Sequence, residues 1–156
     1  MNYISYFESN DKEKLLNFLE NAKWGAGKFL ANVIKENTFY EKYGKDANLY
    51  FYIQNGEPIE FGAIVEQDYI ERPNLKPWIA LIYVDPKARG QRLSEKMVYF
   101  LESKAKELGY NQVNIVSQHK GLYEKYGYNL QEEIYDSKHD VDYRYNKEIW
   151  EIDTNC

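Results

Sequence analysis

Arg89 and Arg92 lie within Val84-Asp85-Pro86-Lys87-Ala88-Arg89-Gly90-Gln91-Arg92-Leu93-Ser94, directly after the most apolar run of the chain, Trp78–Val84. The residues that follow have helical period. A buried strand that ends in a Pro/Gly turn and opens a helix leaves free backbone N–H groups and the positive end of the helix dipole at one place. The chemistry that suits this is holding an anion, so a phosphate-bearing cofactor is the first expectation. From Lys87 to Lys96 four cations stand against one anion, a local charge of +3 in a chain of net charge −5. Such an island fits a small polyanion. It does not fit a nucleic acid, whose long phosphate backbone needs a basic face.

Other reactive residue types are sparse. The only cysteine, Cys156, is the last residue of the sequence, a poor place for a nucleophile and one that allows no internal disulfide. His139 sits in a polar turn and is expected to be inert, whereas His119 precedes a short helical stretch. No His/Cys/Asp cluster has metal spacing and no Ser/His/Asp order is suggestive, so no metal is expected. The aromatic content is high, with 16 Tyr, 7 Phe and 3 Trp, and tyrosine can line a cleft as well as a core because it keeps a hydroxyl for hydrogen bonding.

The elements that must position these residues follow from patterning. With 156 residues, 44% apolar and 29% charged, the chain reads as one globular domain spanning residues 1–156. Asn10 or Asp11 caps a predicted helix to about Ala22, with Leu15, Leu16, Phe18 and Leu19 inward. Lys23-Trp24-Gly25-Ala26-Gly27 breaks it, and a second helix covers Lys28 to about Asn37. Leu49–Ile53 and Ile59–Val65 form a hairpin around Asn55-Gly56. After the polar stretch Glu66–Lys76, Trp78–Val84 is apolar on both faces and therefore central. A helix over Gln91–Leu108, with Leu93, Met97, Leu101, Ala105 and Leu108 in register, ends at Gly109. Val113–Val116, reached by that crossover, is expected to run parallel to Trp78–Val84. A short helix at Gly121–Tyr126 and two strands, Asn129–Tyr135 and Tyr143–Ile152, joined by a polar turn at Asp136–Asp140, complete an α/β domain with antiparallel early strands.

This order, with Pro86-x-x-Arg89-Gly90-x-x-Leu93 and the later Gly121-Leu122-Tyr123-Glu124-Lys125-Tyr126-Gly127-Tyr128, resembles the GNAT superfamily of N-acetyltransferases. Neither motif is specific alone; both in this order, separated by a helix and a strand, are. The resemblance is good from about Leu49 to Tyr128 and holds only in kind for the first helices and the last hairpin. It implies a mixed central sheet with a splayed parallel pair and flanking helices, and acetyl-CoA as co-substrate. Its pyrophosphate would meet the backbone of Arg89, Gly90, Gln91, Arg92, Leu93 and Ser94. The pantetheine arm would lie along Ile82-Tyr83-Val84, with an amide near Tyr83 or Val84 polarising the acetyl carbonyl.

The resemblance also implies site roles. Tyr123 aligns with a tyrosine that protonates the leaving thiolate, a role open to a phenol of pKa ~10. Apart from the resemblance, Glu66 and Asp68 stand at the end of the strand Ile59–Val65, where a loop could face the cleft; either could take the acceptor's proton, directly or through water, or be an ordinary exposed carboxylate. His119 could act as a base, orient substrate or merely cap a helix. The asparagine common upstream of the tyrosine is replaced near Val116, with Ser117, Gln118 or His119 as substitutes. The family's Arg-x-x-Gly-x-Gly/Ala reads Arg89-x-x-Arg92-x-Ser94. Arg92 either adds a charge-assisted phosphate contact, the reading adopted, or crowds the site.

The implied activity is transfer of acetyl to a primary amine in a ternary complex. The rival is a noncatalytic acyl-CoA-binding regulatory module on the same fold. Trp24, Phe29, Phe39, Tyr40 and Tyr69 are candidates to wall a small-molecule or peptide acceptor, and net negative charge suits a cationic one. The first eight residues lack a signal-peptide pattern and no apolar run nears the ~20 residues of a membrane span, so a cytoplasmic protein without membrane partners is expected. The strand edges of the C-terminal hairpin make a homodimer reasonable.

Overall fold

In a computed structural model, which describes residues 2–138 and 140–149, seven strands form one sheet. They are β1 (Tyr3–Ser5), β2 (Asn48–Gln54), β3 (Glu57–Val65), β4 (Trp78–Val84), β5 (Gln112–Ser117), β6 (Asn129–Tyr135) and β7 (Val141–Glu148), in the order β1-β2-β3-β4-β5-β7-β6. All neighbours are antiparallel except β4 and β5. Helices α1 (Lys12–Glu20), α2 (Gly25–Lys35) and α3 (Phe39–Tyr43) belong to the N-terminal part, and α4 (Leu93–Glu107) is the crossover between the parallel strands. The mixed sheet with one parallel pair and flanking helices is the expected fold class. No helix among the described residues is long and apolar enough to cross a membrane.

The apolar runs explain the layering. Phe51, Phe61, Ala63 and Val65 of β2 and β3 meet Leu15, Leu19, Leu30 and Ala31 of α1 and α2 in one cluster. Ile64, Ile79, Val113 and Ile115 meet Met97, Val98, Leu101 and Ala105 of α4 in the other. β4, between β3 and β5, contributes to both, as its unbroken apolar sequence requires. The β2–β3 hairpin turns at Asn55 (φ 53°) and Gly56 (φ 79°), the left-handed pair that matches strand twist.

The site depends on how β4 and β5 meet. Trp78 pairs with Asn114 and no further register pair follows. Asn114, fully buried, donates its backbone N–H and its Nδ2 to the Pro77 carbonyl, at 3.0 and 3.2 Å, and accepts from Asn146 Nδ2 at 2.9 Å. The strands are thus pinned at their N-terminal ends and part toward their carboxyl ends, where open α/β sheets bind ligands.

Several boundaries differ from the sequence expectation. α2 begins at Gly25, not Lys28. Gly27 is no helix breaker: a Cβ there would lie 2.4 Å from the Leu19 carbonyl oxygen and 2.8 Å from the Ala22 Cβ, so glycine permits the close approach of α1 and α2. β1 and α3 were not expected, being only three and five residues long, too short for a period to register. α4 starts at Leu93, two residues after Gln91, because Arg92 is left-handed (φ 57°, ψ 34°). The helix at Gly121–Tyr126 is a 3-10 turn over Tyr123–Tyr126. β7 lies between β5 and β6, which leaves β6 as the sheet edge. β7 starts at Val141 and ends at Glu148; the expected continuation over residues 150–152, His139 and Cys156 lie outside the described residues.

Candidate active site

The anion turn is built from local hydrogen bonds. The Asp85 carboxylate accepts the Lys87 N–H at 2.9 Å, and the Ala88 N–H donates to the Asp85 carbonyl at 2.8 Å, closing a tight turn over Pro86–Ala88. Gly90 follows at φ 94°. The first intrahelical bond of α4 runs from the Lys96 N–H to the Arg92 carbonyl at 3.1 Å, and no side chain caps the helix. The amides of Leu93, Ser94 and Glu95 therefore form an uncapped start suited to an anion. Arg89, Gly90, Arg92, Leu93 and Ser94 line the adjoining cleft. Gln91 is not among the lining residues; its Nε2 donates to the Ala88 carbonyl at 3.2 Å and its Oε1 accepts from Gln54 at 3.3 Å, bracing the turn against β2.

The departure at Arg92 has a backbone meaning. Glycine suits this position because its φ is positive, a conformation that costs a side-chain-bearing residue about 1–2 kcal/mol.

β4 carries a bulge that no sequence signal announces. Phe61 pairs with Tyr83 and Ala63 with Ala80, so Leu81 and Ile82 both stand opposite Gly62. Leu81 has φ 58°, a left-handed angle inside an uninterrupted apolar run. The bulge interrupts the β3–β4 ladder in the wall of the cleft, just before the Tyr83 and Val84 amides. A Cβ on Gly62 would come within 2.8 Å of the Met97 side chain, so α4 seats directly behind the bulge.

The cleft holds about 920 Å³ in the splay between β4 and β5. Ile82, Tyr83 and Val84 line one wall; Val116, Ser117, Gln118 and His119 line the other, with Leu122 and Tyr123 below. Burial raises the Tyr123 pKa, the nearby Tyr126 adds to this, and a hydrogen bond with the Ser117 side chain works the other way. The phenol is held protonated at neutral pH. Of Ser117, Gln118 and His119, Ser117 is the one whose side chain bonds the phenol, and its Oγ also accepts the His119 N–H at 3.0 Å. His119 is exposed at the rim, and its carbonyl accepts the Tyr145 hydroxyl at 2.9 Å.

Two carboxylates enter the same cleft. Asp68, in the β3–β4 loop, is pushed up to about 6, chiefly by burial and further by Asp142, while the Tyr69 N–H bound to it at 2.7 Å opposes the rise. Asp142, on β7, accepts the Tyr69 hydroxyl. Sequence reading missed Asp142, because an acid among the polar residues of a late hairpin carries no signal until β7 is placed beside β5. Glu66 does not line the cleft: its Oε2 accepts the Asp46 N–H at 3.1 Å and its Oε1 lies 3.9 Å from Lys76 Nζ. Of the aromatics expected to wall the acceptor, Trp24 and Tyr69 line the cleft; Phe29, Phe39 and Tyr40 do not. Phe39 is core, packed on Phe7 and Tyr43. Trp24 stacks over Phe61 and Tyr83 at 14°, and the Lys23 N–H donates to the Tyr83 hydroxyl at 3.0 Å.

Residues 45–130, more than half of the chain, match the family described as Acetyltransferase (GNAT) domain. No curated protein matches the sequence. Among solved structures, an aminoglycoside 6'-N-acetyltransferase complexed with coenzyme A is similar with a TM-score of 0.71 at 15% identity, over 97% of this chain and 99% of that one. The aminoglycoside 6'-N-acetyltransferase from Enterococcus faecium gives 0.70 at 16%, with 97% and 99% covered. A Bacillus subtilis acetyltransferase in complex with CoA gives 0.61 at 17%, over 94% and 97%. At such identities the likeness is one of fold. Because the family match takes in both the turn before α4 and the Tyr123 element, the chain belongs to the GNAT acetyltransferase family.

Proposed function

We propose that this protein is an acetyl-CoA-dependent N-acetyltransferase that passes its acetyl group directly to a primary amine in a ternary complex. One observation carries the reading: a single cleft is lined at once by the uncapped start of α4, the bulged wall of β4, Tyr123, and the carboxylates Asp68 and Asp142. The anion end suits a pyrophosphate, held by backbone amides with Arg89 and Arg92 adding charge. Beyond Trp78 no β5 residue pairs with β4, which leaves Ile82–Val84 room to take an extended pantetheine arm as an extra strand.

Acetyl-CoA supplies the activated acyl group; the chain's residues supply position and protons. Asp68, largely ionised at neutral pH, takes a proton from the acceptor ammonium, directly or through water, freeing the nitrogen lone pair. A β4 amide at the bulge, or at Tyr83 or Val84, stabilises the negative charge that grows on the carbonyl oxygen as the C–N bond forms. When the C–S bond breaks, Tyr123 gives its proton to the sulfur, and the second proton shed by the nitrogen restores the phenol. The acceptor is cationic. Asp68 and Asp142 have no ion-pair partner among the described residues, whereas neighbouring Glu132 takes both Arg72 and, at 2.9 Å, Arg144. Tyr69 and Trp24 add aromatic surface for a cation.

Titration calorimetry with acetyl-CoA, followed by thiol release with a panel of mono- and diamines, tests the reading. Micromolar binding lost in Arg89→Glu and thiol release dependent on an amine are expected. Binding without thiol release for any amine would leave the noncatalytic acyl-CoA-binding module as the function; no binding by folded protein would remove the enzyme reading.

Arg92→Gly separates the two roles left open for that side chain. The variant is expected to be more stable by about 1 kcal/mol, from relief of the left-handed conformation, and to bind acetyl-CoA more weakly, from loss of the cation. Tighter binding by calorimetry would mean that the side chain crowds the phosphate.

A further inference from the structure

The four-residue turn Tyr123–Tyr126 needs an anchor, because a single 3-10 turn is marginal by itself. Its backbone bonds are internal: Lys125 N–H to the Leu122 carbonyl, Gly127 N–H to that of Glu124 and Tyr128 N–H to that of Tyr123, each 3.1 Å. Besides the side-chain hydrogen bonds of Tyr123 with Ser117 and of Glu124 with Tyr145, the far side of the turn is tied to the rest of the fold by a charge pair that plays no part in the chemistry above. Lys147 Nζ on β7 donates to the Tyr126 carbonyl at 3.0 Å and to both oxygens of Glu102 on α4, at 3.0 and 3.1 Å. The Glu102 carboxylate also accepts the Tyr128 hydroxyl at 2.8 Å. All three ammonium protons of Lys147 thus have acceptors.

The pair is largely buried, with side-chain exposures of 23% for Lys147 and 10% for Glu102. A buried ion pair is weak grounds for stability, since an apolar pair of similar volume often serves as well or better. What the charges add here is direction. They hold both sides of the turn, the carbonyl of Tyr126 and the hydroxyl of Tyr128, and the Tyr123 ring rests on those two rings at 5.8 and 6.2 Å between centroids. The turn is also shaped around the lysine: Gly127 has φ 94°, and a Cβ there would come within 3.2 Å of Lys147 Cε.

We propose that Glu102 and Lys147 are positioning residues that set the Tyr123 phenol for proton delivery to the leaving sulfur; this rests on the reading of Tyr123 as the proton donor. The test compares wild type, Lys147→Met, Tyr123→Phe, the pair variant Glu102→Gln/Lys147→Met, and the pair variant combined with Tyr123→Phe. The pair variant leaves no uncompensated buried charge and guards against simple unfolding of Lys147→Met. Loss of orientation is expected to lower kcat of the pair variant about 10- to 100-fold, with KM for acetyl-CoA within about twofold because the phosphate turn is untouched. In the Tyr123→Phe background the pair variant is expected to cost nothing more, since there is no phenol left to orient. A slow Tyr123→Phe beside a pair variant as fast as wild type, or losses that multiply, would overturn this inference alone. A Tyr123→Phe as fast as wild type would overturn the donor role and this inference with it.

Discussion

Tyr123→Phe is expected to lower turnover by about 10²–10⁴-fold, the usual contribution of a positioned general acid, while acetyl-CoA affinity stays nearly constant. The substitution removes one oxygen and leaves the ring, so the packing on Tyr126, Tyr128 and Tyr145 persists. The anion turn is formed by other residues and is unaffected. Burial keeps the wild-type phenol protonated, and the Ser117 hydrogen bond limits how poor an acid it becomes. Steady-state kinetics beside calorimetry separates the two effects. A loss confined to kcat supports proton donation; unchanged turnover would return Tyr123 to being one more aromatic of the core and would leave the thiolate to depart unassisted.

Glu60→Gln is expected to give the largest change in stability. Glu60 lies on β3 with no exposed surface, and neither carboxylate oxygen has a hydrogen-bond partner among the described residues. Burial pushes its pKa from 4.5 up to about 9. Between those values the unfolded chain has released the proton and the folded chain holds it, so folding takes up a proton. Stability therefore falls as pH rises across that window, by at most about 1.4 kcal/mol per pH unit, and levels off above it, where both states are ionised. Glutamine has no such proton. Allowing for its extra unpaired N–H, the variant should be about 2 kcal/mol more stable at pH 7, an advantage that vanishes toward pH 5. Denaturant unfolding of both proteins from pH 5 to pH 9 measures the slope; parallel curves would mean that Glu60 is ionised or solvated in the native state.

Several features of this protein were legible in the residue order. The β2–β3 hairpin follows from Asn55-Gly56, the central place of β4 from Trp78–Val84, and the parallel partner from the crossover helix. Each rests on a local signal: turn chemistry, a run apolar on both faces, a length of chain. Arg89-Gly90 and the Tyr123 element are local motifs as well, so the residues proposed here for the anion end and for proton donation, which line one cleft, are short-range signals that need no strand order to be noticed.

The rest belongs to contacts between distant segments. Gly27 reads as a breaker by propensity, yet it sits inside α2, and it is glycine because the Leu19 carbonyl of α1 and Ala22 in the connection between the helices leave no room for a Cβ. The bulge at Leu81–Ile82 has no glycine to mark it; it exists because β4 must pair with β3 while Met97 packs behind Gly62. Asp142 joins Asp68 across 74 residues only because β7 inserts between β5 and β6. The sequence by itself determined what kinds of chemistry were on offer, since motif and turn are properties of short range. Tertiary structure decided which carboxylates share the cleft and what holds Tyr123 in it, since strand order and side-chain apposition depend on the whole sheet closing at once.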